Sequence, residues 1–138
     1  MGLVLDSSVL ITAERRGDAV AQLLRQVVAA TGGSRSGPLI HRSHRAGAWH
    51  LSRARIPQVR SRRESFIFEL ISCVEVYPYT KETALLAGRL EGEQQEQGVT
   101  IPFSDLLIGA TALLHGCSML TVNPRHFRLI PGLSVVQL

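Results

Sequence analysis

Short apolar runs with strand composition alternate along the chain with segments of helical periodicity, and this alternation limits the fold more than any other feature. The chain opens with such a run, Leu3 to Leu5, which we predict to be a buried strand ending at Asp6. The runs CVEVYPY, SMLTV and the closing LSVVQL have similar β-branched or apolar composition, and the last is expected at a sheet edge. Strands separated by helices favour an α/β fold with a mainly parallel central sheet flanked by helices.

The segments between these runs carry apolar residues at helical spacing. Small residues after Asp6 are expected to turn the chain, and the first predicted helix begins at Ala19 with Asp18 as its N-cap. The four predicted helices run from Ala19 to the stop at Gly32-Gly33, from Arg62 to about Ser72, from the N-cap Thr80 to Gly98, and from the N-cap Ser104 to Gly116. The stretch from Ser34 to Arg60 has no clean period and receives no assignment.

Length and cysteine usage predict one domain without disulfide or zinc support. A chain of 138 residues is long enough to bury a core of its own, so residues 1–138 are expected to form one domain. Cys73 and Cys117 lie in apolar runs, lack C-x-x-C spacing, and are both predicted to be small buried side chains. No leader-like N-terminus or membrane-length apolar stretch is visible, which predicts a soluble cytoplasmic protein with no membrane partner.

Positive charge is concentrated in one part of the chain. The stretch from Ser34 to Arg63 holds eight arginines, no lysine and no acid. Since the total formal charge is +4, the rest of the chain carries −4. A basic block of this kind can attract phosphate backbones, but it is equally typical of a solvated stretch.

Two aspartates stand where a charge borders the predicted core. Asp6 ends the first strand, at the edge of a parallel sheet where ligands collect, and Asp105 opens a helix of otherwise apolar residues. Alone, each has an ordinary explanation, as a turn residue and as a carboxylate in a first helical turn. If both face one crevice at about 4 Å, their repulsion is on the order of 4 kcal/mol at an effective dielectric near 20. A hard divalent cation such as Mg²⁺, bound by carboxylates and water, would relieve it.

Three segments together indicate a family. The opening LDSSVLI, the segment PFSDLLIGATALLHG and the closing MLTVNPRHFRLIPGLSV resemble PIN domains, particularly VapC-type toxins. The resemblance covers residues 1–31 and 56–138, in the order and spacing of that family. It implies a PIN-domain fold and a Mg²⁺- or Mn²⁺-dependent endoribonuclease that acts on RNA such as tRNA or rRNA. It also implies a cognate VapB-type antitoxin as partner and a homodimer.

The resemblance assigns roles to individual positions. Asp6 and Asp105 match two acids of the family's metal site. Asn123 stands where the family has a fourth acid or an asparagine, and its carbonyl would order a water on the metal. Ser7 would support the first carboxylate or contact phosphate. His126, beside Phe127, is more typical of a residue that packs the last loop against the domain than of one that touches substrate.

One acid of the family pattern is missing. PIN domains carry a middle glutamate some 35 to 40 residues after the first aspartate, in a context such as T-E-L, but this chain has no acid between Asp18 and Glu64. Glu64 and Glu69 are the nearest substitutes, and surface or ion-pair roles are expected for both. With only two carboxylates, the site should bind metal weakly and the chain as printed should cut RNA poorly.

The missing acid falls inside the arginine-rich stretch, and a local frame shift between about Gly33 and Ala54 would explain both features. Permitted codons for Ile40 to Arg55, moved by one nucleotide, read S-I-G-V-T-E-L-A-H-G-I-Y-R-A, with the glutamate straddling the codons of Arg45 and Ala46. On this hypothesis the basic block has no RNA-binding role. The gene sequence decides it, because an in-frame reading without paired insertions or deletions around residues 33 and 54 would exclude the shift.

Two other functions compete with the nuclease. A PIN-like module with an incomplete site, which binds RNA or antitoxin without cleavage, is favoured by the missing acid. A phospho-receiver domain also places an aspartate at a strand end, but it requires an N-terminal acidic pair and a later strand-end lysine, whereas the only lysine here is Lys81. The phospho-receiver interpretation therefore fits less well.

Overall fold

A parallel sheet of five strands forms the centre of the protein. A computed structural model describes residues 2–32, 38–41 and 56–138, with the backbone alone described for residues 38–41. The strands are β1 Leu3–Leu5, β2 Pro38–His41, β3 Glu75–Tyr77, β4 Ser118–Thr121 and β5 Val135–Gln137. They lie in the order β3-β2-β1-β4-β5, and each neighbouring pair is parallel. The predicted α/β class and the edge position of the last strand are confirmed.

Helices cover both faces of this sheet. They are α1 Ser7–Arg16, α2 Val20–Ala30, α3 Pro57–Cys73, α4 Lys81–Glu96 and α5 Phe103–Leu114, followed by a 3-10 turn at Phe127–Leu129. Val4 packs with buried residues of α4 and α5, whereas Leu3 and Leu5 pack with buried residues of α1, α2 and α3. Because successive strand residues point to opposite faces, three apolar residues in β1 contribute to both cores.

The start of the chain differs from the prediction. The residues after Asp6 form α1 instead of a turn, since Val9, Leu10 and Ala13 recur at helical spacing on its buried side. The next helix has Ala19 as its N-cap, so the assignment of that role to Asp18 was wrong. The side chain of Gln22 accepts a hydrogen bond from the Ala19 amide at 2.8 Å and satisfies this helix end instead. The stop is confirmed at Gly32, whose φ is +66°.

The later helices agree with the sequence except at three points, of which the first is the start of α3: it begins at Pro57, five residues before the predicted Arg62, with proline at the first helical position. Thr80 caps α4 through a hydrogen bond from the Thr83 amide, as predicted. The last helix starts two residues earlier than expected, with Pro102 as N-cap, so Ser104 lies inside its first turn and does not cap it. Cys117 is buried, but Cys73 is exposed at the end of α3, and its predicted burial was wrong.

The acids suggested as substitutes for the missing glutamate lie on the surface of α3. Glu64 forms an exposed ion pair with Arg60 at 3.0 Å, and Glu69 is exposed. A second ion pair, between Glu14 and Arg63 at 3.0 Å, is largely shielded from solvent and ties α1 to α3. The expected surface and ion-pair roles of Glu64 and Glu69 are therefore confirmed.

The anomalous stretch falls mostly outside the described residues. Residues 33–37 and 42–55 are not described. They include Arg45 and Ala46, whose codons would encode the middle glutamate in the shifted frame. Of the arginine block, only Arg60, Arg62 and Arg63 are described, near the start of α3. In the parts of the chain that are described, no helix combines the length and apolar character needed to cross a membrane.

Candidate functional site

The carboxyl edge of the sheet brings together the ends of β1 and β4. The two strands are paired with Leu5 opposite Leu120, and the Asp6 amide continues the ladder by donating to the Leu120 carbonyl at 2.9 Å. Asp6 and Thr121 are thus neighbours at the point where each strand ends. This is the edge at which ligands bind in open α/β sheets.

The Asp6 side chain does not cap the helix that begins after it. Asp6 is the N-cap of α1, and aspartate is among the best capping residues, yet its side chain makes no capping hydrogen bond. The carboxylate instead faces the end of β4, where it is 7% exposed. A nearly buried carboxylate that is withheld from its helix needs other donors.

Those donors are two hydroxyls from two different elements. Thr121 donates from Oγ1 to Asp6 Oδ2 at 2.9 Å, and Ser8 donates to the same oxygen through a short hydrogen bond. Each hydroxyl in turn accepts a backbone amide from the segment after β4: Thr121 from Asn123 at 3.0 Å and Ser8 from Val122 at 3.3 Å. The chain of donors runs in one direction, from the loop backbone through the hydroxyls to Asp6 Oδ2.

The other oxygen of Asp6 is held far less firmly. Asp6 Oδ1 accepts from the neighbouring hydroxyl of Ser7 at 3.4 Å, which is the long limit of a hydrogen bond. The two oxygens are therefore unequal: Oδ2 accepts two hydroxyl hydrogen bonds, whereas Oδ1 has only this long contact within the described part of the chain.

Asp105 has a similar division between its oxygens. It lies in the first turn of α5, where the helix dipole favours a negative charge. Its Oδ2 is 2.8 Å from His126 Nδ1, and its Oδ1 accepts from the neighbouring Ser104 hydroxyl at 3.2 Å. The Asp105 side chain is 13% exposed and that of His126 is 33% exposed. One oxygen again faces a fixed partner and the other a neighbouring serine.

The two aspartates are attached to one loop. Asp6 is bonded to Thr121 and Asp105 to His126, and five residues of chain span at most roughly 18 Å. Phe127, directly after His126, is 2% exposed and anchors the end of this segment in the core, as predicted for the packing of the last loop. The segment 121–126 thus joins the end of β1 to the start of α5.

The remaining predicted site residues lie on or beside this segment. Asn123 is exposed, two residues beyond β4 at the same edge, and Ser7 is half-buried at the start of α1. Ser8 and Thr121 were not predicted from the sequence: Ser8 lies in the first turn of α1, and Thr121 is the last residue of β4. Polar residues at the carboxyl ends of adjacent parallel strands are the signal that would have found them.

The described residues do not complete a metal site by themselves. Within residues 2–32 and 56–138, no group of three or more His, Cys, Asp or Glu side chains is arranged to hold a metal ion. Glu64 and Glu69 belong to the surface of α3 and add no third carboxylate. The arrangement at the carboxyl edge therefore consists of two aspartates, their hydroxyl and imidazole partners, and an exposed amide.

The chain as a whole is similar to known proteins. The family model of the PIN domain matches residues 3–133. Ribonuclease VapC1 of Rickettsia felis is 29% identical over 136 residues, which covers 99% of this chain and 96% of that protein. VapBC2 of the same organism, bound to a promoter DNA fragment, has a chain that superposes with a TM-score of 0.79 at 18% identity, with 100% and 99% coverage. VapBC-5 of Mycobacterium tuberculosis, from a family of toxin–antitoxin systems, gives 0.72 at 18%, with 99% and 98% coverage.

Proposed function

The chain belongs to the PIN domain family, and on that basis we propose that it is a Mg²⁺- or Mn²⁺-dependent endoribonuclease, the toxin of a toxin–antitoxin pair. The relative named Ribonuclease VapC1, which aligns over nearly its whole length, supports the ribonuclease activity. The single structural observation that carries the proposal is the attachment of Asp6 and Asp105 to one loop at the carboxyl edge of the sheet.

The donor chemistry of the two aspartates fits a hard divalent cation. Mg²⁺ takes carboxylate oxygens and keeps several of its waters, so it does not need a complete cage of protein ligands. Within the described residues, Asp6 Oδ1 and Asp105 Oδ1 each form a hydrogen bond only with a neighbouring serine hydroxyl, at 3.4 and 3.2 Å. A rotatable hydroxyl at this distance can give way to a cation.

The proposed roles divide between holding the cation and placing the RNA. A bound Mg²⁺ or Mn²⁺ supplies Lewis acidity and a more acidic water for phosphodiester hydrolysis. Asp6 and Asp105 hold the ion, and the amide of Asn123 orients a water or a phosphate oxygen beside them. Ser7 supports the Asp6 carboxylate, and the exposed Arg125 attracts the RNA backbone.

The proposed partners follow from the same family. The substrate class is structured RNA such as tRNA or rRNA, and the inhibitor is a VapB-type antitoxin. The structural relatives assigned to toxin–antitoxin systems support a partner of this kind. A homodimer and a cytoplasmic location complete the proposal.

A second function is favoured by one specific observation. The chain has no acid between Asp18 and Glu64, and its described part has no third carboxylate at the site. A catalytically impaired PIN module, which binds RNA or an antitoxin without cleavage, would show these features. The two functions differ in the fate of bound RNA.

The experiment compares the chain as written with a re-read chain, in which residues 40–53 are replaced by the 14-residue segment SIGVTELAHGIYRA that restores the glutamate. The re-read chain should cut tRNA or rRNA in Mn²⁺ and lose cleavage in a chelator. Asp6→Asn or Asp105→Asn should each lower its cleavage rate by about 100-fold or more, since removal of even outer-shell metal partners costs 10- to 100-fold. The matched control is Glu64→Gln, which removes an acid of the exposed α3 ion pair and should leave the rate unchanged.

The outcomes separate the two functions. Printed and re-read chains that bind RNA equally, with cleavage by the re-read chain alone, would assign the impaired module to the printed chain. Cleavage by the re-read chain that survives Asp6→Asn would refute the nuclease site.

A further inference from the structure

The hydrogen bond between His126 and Asp105 has a geometry that can orient the Asp105 carboxylate. The Nδ1 to Oδ2 distance is 2.8 Å, close to the optimum for a hydrogen bond to a charged acceptor. A carboxylate accepts and does not donate, so Nδ1 carries the proton in this pair. The chain directly after His126 is anchored, because Phe127 is buried and a 3-10 turn begins there.

The contact fixes one oxygen of the Asp105 carboxylate and does not involve the other oxygen. Oδ2 faces the imidazole, whereas Oδ1 has only the adjacent Ser104 hydroxyl at 3.2 Å. Asp6 shows the same division, with Oδ2 bonded to Thr121 and Ser8, and Oδ1 beside Ser7. The repetition on two elements of different type, a strand end and a helix start, argues against an accident of packing.

We propose that His126 is a positioning residue for the metal-dependent reaction: its Nδ1 proton orients Asp105 so that Oδ1 faces the cation. This inference rests on the proposed function, because it presumes that Asp105 is a metal ligand. His126 acts through Asp105 and does not contact the cation. The segment 121–126 then orients both carboxylates, because Thr121 at one end donates to Asp6 and His126 at the other end donates to Asp105.

A purely structural role for His126 would have a different signature. If the ring only packs the last loop against the domain, any side chain of similar size would serve, and the position of the donor nitrogen would not matter. If the ring positions Asp105, the donor must sit at the Nδ1 position. The amide nitrogen of an asparagine can occupy that place, whereas that of a glutamine lies farther out, near Nε2.

The test therefore compares His126→Asn, His126→Gln and His126→Ala in the full chain at constant pH. The probe is Mn²⁺ alone, without RNA, and its binding is followed by the relaxation of water protons. Loss of an outer-shell partner lowers metal affinity by roughly 10- to 100-fold, so His126→Ala and His126→Gln should weaken Mn²⁺ binding by that factor. His126→Asn should remain within about threefold of the parent. Thermal unfolding of each variant shows how much stability is lost.

A second readout needs no metal. The carboxyl ¹³C shift of Asp105 in the metal-free protein should move in His126→Ala and His126→Gln and return toward the parent value in His126→Asn. Equal shifts and equal Mn²⁺ binding in all three variants would overturn the positioning role, as would losses that follow thermal stability instead of donor position.

Asp105→Asn and Glu64→Gln separate this inference from the function on which it rests. If Asp105→Asn weakens Mn²⁺ binding and every His126 variant behaves like the parent, only the positioning role fails. If Asp105→Asn binds Mn²⁺ as well as the parent and Glu64→Gln do, the metal site itself fails, and the positioning role fails with it.

Discussion

Asp6 and Asp105 occupy the same edge of the protein, but the fold holds them in different ways. Asp6 follows a central strand, is 7% exposed, and receives two hydroxyls that are themselves fixed by backbone amides. Asp105 lies on the first turn of a helix and receives a single imidazole that is one-third exposed. The first carboxylate is placed by the sheet, and the second by one side chain.

Because of this difference, substitutions near the two aspartates should change different measured quantities. A change in the Asp6 network disturbs buried polar groups at the ends of β1 and β4, so it should be measured first as a loss of stability. A change at His126 disturbs a half-exposed contact, so it should cost little stability and be measured in the affinity for Mn²⁺. The partners of the two aspartates are therefore not equivalent.

The largest stability effect is expected from Thr121→Val. The substitution keeps the shape of a fully buried side chain but removes the donor to Asp6 Oδ2 and the acceptor for the Asn123 amide. A hydrogen bond to a charged group is worth about 1.5–3 kcal/mol, and we expect a loss of that size in the free energy of unfolding measured with urea.

Thr111→Val is the matched control for this prediction. Thr111 is also fully buried, but its hydroxyl donates to the Leu107 carbonyl within α5 at 2.9 Å, an uncharged acceptor. Its replacement should cost less than about 1 kcal/mol. Equal losses of stability in the two variants would show that the hydrogen bond from Thr121 to Asp6 contributes no more than one to an uncharged acceptor, and would contradict the prediction.

The smallest effects are expected at the two serines beside the loosely held oxygens. Ser7→Ala and Ser104→Ala remove hydroxyls that lie 3.4 and 3.2 Å from Asp6 Oδ1 and Asp105 Oδ1. Because these contacts are long and involve rotatable groups, each variant should change the free energy of unfolding by no more than about 0.5 kcal/mol. A loss above about 1.5 kcal/mol for either would mean that its Oδ1 is as firmly fixed as Oδ2.

The sequence predicted the fold well where periodicity is strong. The strands around Val4, Val76 and Met119 and the helices α4 and α5 were predicted within a few residues. The helix α1 was not predicted, because the small residues after Asp6 are typical of a turn while its apolar spacing is short. Ala19 is not a preferred N-cap residue, so only Gln22, at the third helical position where Glu and Gln are common, indicates this start of α2.

The positions of Asp6 and Asp105 at the carboxyl edge were also predictable, but their hydrogen-bond partners were not. Asp6 and Asp105 stand out in sequence because each is a charge beside an apolar run. Thr121 and His126 are separated from them by 115 and 21 residues, and only the pairing of β1 with β4 and the path of the following loop bring them together. Such contacts depend on tertiary structure and leave no local pattern.

We propose that Asp6 and Asp105 hold one divalent cation, and titration of four chains with Mn²⁺ tests this directly. These are the re-read chain, its Asp6→Asn and Asp105→Asn variants, and the double variant, with water-proton relaxation as the readout. If the aspartates share one ion, each single variant should lose its site-specific binding, and the double variant should bind no less than either. Single variants that each retain about half of the bound Mn²⁺, with loss of the remainder only in the double variant, would contradict the claim and place the aspartates in separate sites.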